Sequence, residues 1–172
     1  MSSRRARAAK PRGPAVRLVR RALASAQRAV YANVFRTRSC GAPPPRPGRP
    51  FLVVANHASH LDMGLVKYAM GEAGRELGSM AAKDYFFSSR LGRLYFGAFT
   101  NLIAMSRGRG FAESVRAAGA AFEEGRSVMI FPEGGRTRDG AMHAFKPAAG
   151  FLALKNRVDI LPVYIDGVYE AL

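Results

Sequence analysis

FLVVANHASHLD, residues 51–62, carries an unbroken apolar stretch straight into a polar loop. Five consecutive apolar residues ending in a loop fit a strand covered on both faces, as in a parallel sheet flanked by helices. The loop sets His57 and Asp62 five positions apart, with Asp62 near the head of the helical segment 61–71. A strand entering such a loop leaves an imidazole at its mouth and a carboxylate about one helical turn further on, within reach of the ring. Imidazole ionises near neutrality, and a carboxylate on one ring nitrogen fixes the tautomer and stabilises the imidazolium. The pair has no nucleophile, so it suits a reaction in which the substrate brings its own attacking hydroxyl. A second reading of the same residues makes Ser59 or Asp62 the N-cap of the helix and leaves His57 as a loop residue.

The alternation continues downstream. Residues 79–82, 101–106, 127–131 and 160–165 read as strands, and residues 111–124 and 147–156 as helices, the first with Val115, Ala118 and Phe122 on one side. Strands separated by helices imply an α/β fold, a single layered domain with a largely parallel central sheet flanked by helices. With 172 residues and 48% hydrophobic content the chain can bury one sizeable core, expected over residues 51–172. Pro162 inside the last apolar run marks a strand start or a sheet edge, where no ladder N–H is needed. In the aromatic stretch 85–99, Phe and Tyr at helical spacing read as one or two short core helices before they read as the wall of an apolar tunnel.

Ligands of open α/β sheets gather at the carboxyl ends of the strands. Two more loops fall there. Arg107 and Arg109, in RGRG, immediately precede the helix at 111, where guanidinium groups and a helix N-terminus together suit an anion. PEGGRTRDG, residues 132–140, follows strand 127–131 and offers Gly134 and Gly135 for close backbone approach, with Arg136 and Arg138 for charge. A phosphate beside His57 would account for both. There is no GxSxG elbow, P-loop or CxxC, so serine hydrolases, NTPases and dithiol enzymes lose their usual support. One cysteine, Cys40, allows no internal disulfide, and three histidines with no further ligand pattern argue against a metal site.

The net charge of +15 resembles a nucleic-acid signal until it is placed along the chain. Residues 1–50 hold thirteen Lys or Arg and no acid, leaving fourteen basic and twelve acidic residues in a nearly neutral body. The charge belongs to an appendage. Residues 1–14, basic and broken by proline, are expected to be a disordered tail. Over residues 15–38, Val16, Val19, Leu23, Ala26, Val30 and Val34 recur at helical spacing opposite Arg17, Arg20, Arg21 and Arg28. This is a basic amphipathic helix, too interrupted by arginine to span a bilayer and suited to lying on an anionic membrane surface. A helix packed on the body and a mitochondrial transit peptide are the two other readings of that stretch. The proline-rich connector at 39–50 separates it from the body.

Taken together, four blocks in order resemble the glycerolipid acyltransferase family, which includes the 1-acylglycerol-3-phosphate acyltransferases. NHASHLD resembles its HxxxxD block, NLIAMSR the block ending in arginine, FPEGGRTRDG the FPEGTRS block and ILPVYI the final proline-valine block. FKPAAGFLAL also stands where that family has a lysine- and glycine-containing segment. The resemblance implies His57 as general base and Asp62 as its orienting partner. It also implies Arg107, Glu133, Gly134 and Arg136 around the phosphate and glycerol of the acceptor, and Pro162 and Val163 at an acyl pocket. It implies no cofactor and no metal, an acyl-CoA or acyl-carrier-protein donor, a lysophospholipid acceptor, and work at the cytoplasmic side of a membrane. Gly135 departs from the family's usual threonine, with Thr137 nearby to compensate. The chain stops soon after the last block, which implies either a minimal version or a chain cut short with its sheet edge exposed. No oligomeric state follows. A second hypothesis, from another class, is a non-catalytic binder of anionic lipid or nucleic acid on a degenerate acyltransferase body; retention of His57, Asp62, Glu133 and Arg136 together speaks against it.

Overall fold

A computed structural model describes residues 13–41, 49–82, 101–105 and 111–170. Residues 1–12 of the tail, most of the connector, the aromatic stretch and the Arg107 loop lie outside them. Five parallel strands form the sheet: β1 (Phe51–Ala55), β2 (Gly78–Ala82), β3 (Leu102–Met105), β4 (Val128–Ile130) and β5 (Asp159–Val163), in the order β3-β2-β4-β1-β5. β1 and β4 are buried on both faces, which is why each is an apolar run without alternation. Leu52, Val128 and Ile130 pack on one face with α4 (Phe111–Glu123) and α5 (Ala148–Asn156). Phe51, Val53, Ala55 and Met129 pack on the other with Val66 and Met70, at and just beyond the end of α2 (Asp62–Ala69). The sheet is therefore the middle of three layers, and its period-two alternation sends neighbouring β1 residues to opposite cores.

Register fixes the site. Leu52 pairs Val128 and Val54 pairs Ile130, so the loops leaving β1 and β4 emerge side by side at one end of the sheet. On the other side of β1, Ala55 pairs Val163. Just beyond that pair, Asn56 takes over from the ladder: its Oδ1 accepts the Ile165 N–H at 2.7 Å and its Nδ2 donates to the Ile165 carbonyl at 2.8 Å. Pro162 sits on an edge strand, as its missing N–H requires, and β5 leaves Asp159, Ile160 and Pro162 exposed. Three element boundaries differ from expectation. The helix expected over 61–71 ends at Ala69, and Gly71, at φ 58°, separates it from a short α3 (Glu72–Arg75). The last strand stops at Val163, with Ile165 held by Asn56 instead.

The N-terminal helix is the third. α1 (Pro14–Ala29) opens on proline, which suits a first helical position, and passes into a π-helical turn, Val30–Val34, so helical structure ends four residues short of 38. Leu18, Val19 and Leu23 stay exposed at 70%, 44% and 43%, and Tyr31 is the one buried residue among those described before β1. Its hydroxyl donates to the Leu61 carbonyl at 3.2 Å, and its ring end lies against Gly64 in α2. Burial raises the Tyr31 pKa, with a Gln27 hydrogen bond opposing and the Asp62 charge adding to the rise. Arg28 adds a hydrogen bond to the Tyr68 carbonyl at 3.2 Å and lies over the Tyr68 ring at 5.2 Å. Gly64 is required because any Cβ there would overlap the Tyr31 hydroxyl. Gly64→Ala should expel Tyr31, destabilise the fold by about 1–3 kcal/mol and open residues 14–35 to proteolysis. Unchanged denaturation and cleavage patterns would contradict that docking.

Candidate active site

The loop after β1 folds back on Asp62. One oxygen of that fully buried carboxylate, Oδ2, lies 2.8 Å from His57 Nδ1 and accepts the backbone N–H groups of Ala58 at 2.7 Å and Ser59 at 2.8 Å. A carboxylate that only accepts calls for the proton on Nδ1, which leaves the lone pair on Nε2. The His57 side chain keeps 21% exposure, enough to meet a substrate. No side chain caps α2: Asp62 reaches backwards to the loop, and Ser59 Oγ accepts from Leu61 N–H at 3.2 Å. Of the two sequence readings, the loop adopts the imidazole–carboxylate one.

The loop after β4 grips the same histidine from the other side. Glu133 Oε1 accepts the His57 backbone N–H at 2.7 Å, and the Thr137 N–H donates to the His57 carbonyl at 2.9 Å. Phe131 stacks on the imidazole with centroids 4.0 Å apart and planes 10° from parallel. Glu133, 7% exposed, spends its other oxygen on the His143 N–H at 2.9 Å. Gly134 turns the loop at φ 75°, and a side chain there would strike the Lys146 ammonium, which lies 2.5 Å from the place of its Cβ. Thr137, which sequence offered as compensation for Gly135, donates its hydroxyl to Asp139 Oδ1 at 2.7 Å; that bond, first among several, holds the Asp139 carboxyl below its usual range.

Charge around the mouth is mixed, with Glu133, Asp166 and Glu170 lining the cleft beside His57. Arg136 is exposed on the β4 loop, and its cation, after desolvation and together with His57, keeps the His60 imidazole below its ordinary pKa. A cleft of about 60 Å³ opens beside His57, lined among others by Asn56, Ala58, Glu133, Thr137 and Tyr164. His57, Asp62, Glu133 and Gly134 are thus gathered in one place, with Arg136 on the same loop as the last two. Arg107 lies outside the described residues. Pro162 and Val163 pair with the last two residues of β1, yet neither lines this cleft: Pro162 faces out at the edge and Val163 packs toward the α2 core. Sequence reasoning missed Phe131, Asn56 and Tyr31. Phe131 and Asn56 had a signal, each being the first residue past its strand and so level with the site.

Residues 33–166 match the protein-family model described as Acyltransferase. The chain is 31% identical over 123 residues to a 1-acyl-sn-glycerol-3-phosphate acyltransferase of Limnanthes douglasii, covering 70% of this chain and 42% of that protein. It is 28% identical over 126 residues to 1-acyl-sn-glycerol-3-phosphate acyltransferase alpha of Homo sapiens, covering 72% and 42%. It therefore spans less than half the length of these relatives. The crystal structure of the 1-acyl-sn-glycerophosphate (LPA) acyltransferase PlsC from Thermotoga maritima superposes with a TM-score of 0.61 over 94% of this chain and 63% of that one; at 23% identity, the likeness is one of fold. A family match across most of the chain, on a sheet that brings the HxxxxD and FPEG blocks together, places this protein in the acyltransferase family.

Proposed function

We propose that this domain is an O-acyltransferase that moves a fatty acyl group from an acyl thioester, acyl-CoA or acyl-carrier protein, to the hydroxyl of a lysophosphatidic-acid-like acceptor in phospholipid synthesis. The observation that carries this is the 2.8 Å contact of His57 Nδ1 with the buried Asp62, which leaves Nε2 free to accept a proton. Nε2 takes the acceptor's hydroxyl proton as its oxygen attacks the thioester carbonyl. The tetrahedral intermediate collapses, the carbon–sulfur bond breaks, and the imidazolium returns the proton to the leaving thiolate, giving ester and thiol. Asp62 stabilises the imidazolium in between. No covalent acyl-enzyme is needed, and the exposed Cys40 takes no part. Arg136 binds the acceptor phosphate, joined by Arg107, and Gly134 allows close approach.

The membrane reading rests on α1, which turns arginines and uncovered Leu18, Val19 and Leu23 outward without one acidic residue. No helix among the described residues is long and apolar enough to cross a bilayer. We assign α1 to the interface of an anionic membrane on the cytoplasmic side.

Replacing His57 by Ala should lower the transfer rate by about 10²–10⁴-fold while the fold survives; a variant transferring at near the native rate sinks the mechanism. Arg136→Ala should raise the acceptor KM by roughly tenfold and leave kcat within a factor of about three, as a uniform binding contact does. If KM stays put, the guanidinium is not on the acceptor. Reversing Arg17 and Arg21 together to Glu should cut binding to anionic vesicles by at least about tenfold at physiological salt. Sedimentation that ignores this change would remove the membrane from the assignment, and a matching loss of DNA binding would favour the binder.

A further inference from the structure

Family resemblance puts Glu133 among the ligands of the acceptor, and its surroundings give it other work. It is 7% exposed, and both carboxylate oxygens already hold backbone N–H groups, His57 on Oε1 at 2.7 Å and His143 on Oε2 at 2.9 Å. Bonds to an ionised acceptor are among the stronger ones, and giving one up inside the protein would strand a buried donor. A carboxylate is also the wrong sign for a phosphate. We infer that Glu133 is a positioning residue: its carboxylate locks the His57 backbone to the loop after β4 and to the segment at His143, and it does not bind the acceptor.

The grip is made at three points of one residue. Glu133 takes the N–H of His57, Thr137 takes its carbonyl, and Phe131 covers a face of its ring. Asp62 and the stacked Phe131 fix how the ring turns about its own bond to the chain; Glu133 fixes where that bond starts. Through Oε2 the same side chain reaches the segment that also hands the Lys146 N–H to the Pro132 carbonyl at 2.9 Å, so one carboxylate ties the loop after β1 to both arms of the loop after β4. A displacement of His57 of about 1 Å at the reacting atoms would cost on the order of 10²-fold in rate without touching acceptor affinity.

The inference rests on the reaction assigned above, and its test separates the two. Glu133→Gln keeps the shape but turns an NH2 group toward one of the two N–H donors. Steady-state transfer from acyl-CoA to lysophosphatidic acid should show kcat reduced about 10- to 100-fold and acceptor KM within about twofold. In a His57→Ala background, the Kd for lysophosphatidic acid should be the same with Glu133 or Gln to within about twofold, because no ring remains to be placed. Amide exchange at His57 should quicken by about tenfold or more whether or not the protein turns over. A rise of KM or Kd of about tenfold with kcat held, or exchange that does not change, overturns the inference. If the Gln variant fails to fold, Glu133→Asp, which keeps the charge and is one methylene too short to span both donors, carries the same comparison. A wild-type protein with no transfer at all sinks the assigned reaction instead, and the exchange measurement then still decides the role of Glu133.

Discussion

Three hydrogen bonds converge on one oxygen of Asp62, and the rest of the site depends on that convergence. The carboxylate is wholly buried, which without compensation would cost several kcal/mol or force it to take a proton. His57 Nδ1 and the N–H groups of Ala58 and Ser59 compensate Oδ2 from a loop of five residues, while Oδ1 is buried without a hydrogen-bond partner among the described residues. The loop thus has one low-energy shape, and that shape aims the imidazole. Orientation of the imidazole and stability of the loop are a single property here, since the same hydrogen bonds serve both.

The sheet supplies the second half of the geometry. β1 and β4 are sequence-distant but adjacent, so a residue just past one is level with a residue just past the other. This adjacency brings Phe131 and Glu133 to His57 across 74 and 76 positions of chain. β5 on the outer side of β1 serves the same purpose through Asn56, which holds the Ile165 backbone where the ladder ends. Parallel strands of unequal length therefore deliver three loops to one end of the sheet, in keeping with ligand sites of α/β folds.

Elements whose signal is local could be read in the sequence. The strands β1 and β4 are apolar runs because both faces are covered, and Pro162 announced an edge because it has no N–H to give. The His57–Asp62 pair was legible because its spacing is short and the turn between them has few shapes. What escaped notice depends on partners far along the chain. Nothing in FPEGGR says that a glutamate will point at a backbone N–H rather than at a substrate; that follows from the register of β1 on β4. Gly64 gave no sign of its purpose either, since a glycine inside a helix is a weakness until the tyrosine that occupies its empty side is known.

The way α1 is attached bears on what it can do. Among the residues between 13 and 41 whose burial is described, only Tyr31 is buried, and the contacts made by Tyr31 and Arg28 fall on Leu61, Gly64 and Tyr68. A helix held at one end, with its apolar stripe bare and its arginines unopposed by acids, gains little from the body and has most of its favourable surface still to bury. Its seat runs along α2, the helix whose first residue is Asp62. The appendage that carries the chain's excess charge therefore sits on the same helix as the carboxylate that contacts His57, so the placement of α1 and the direction faced by the imidazole are geometrically linked.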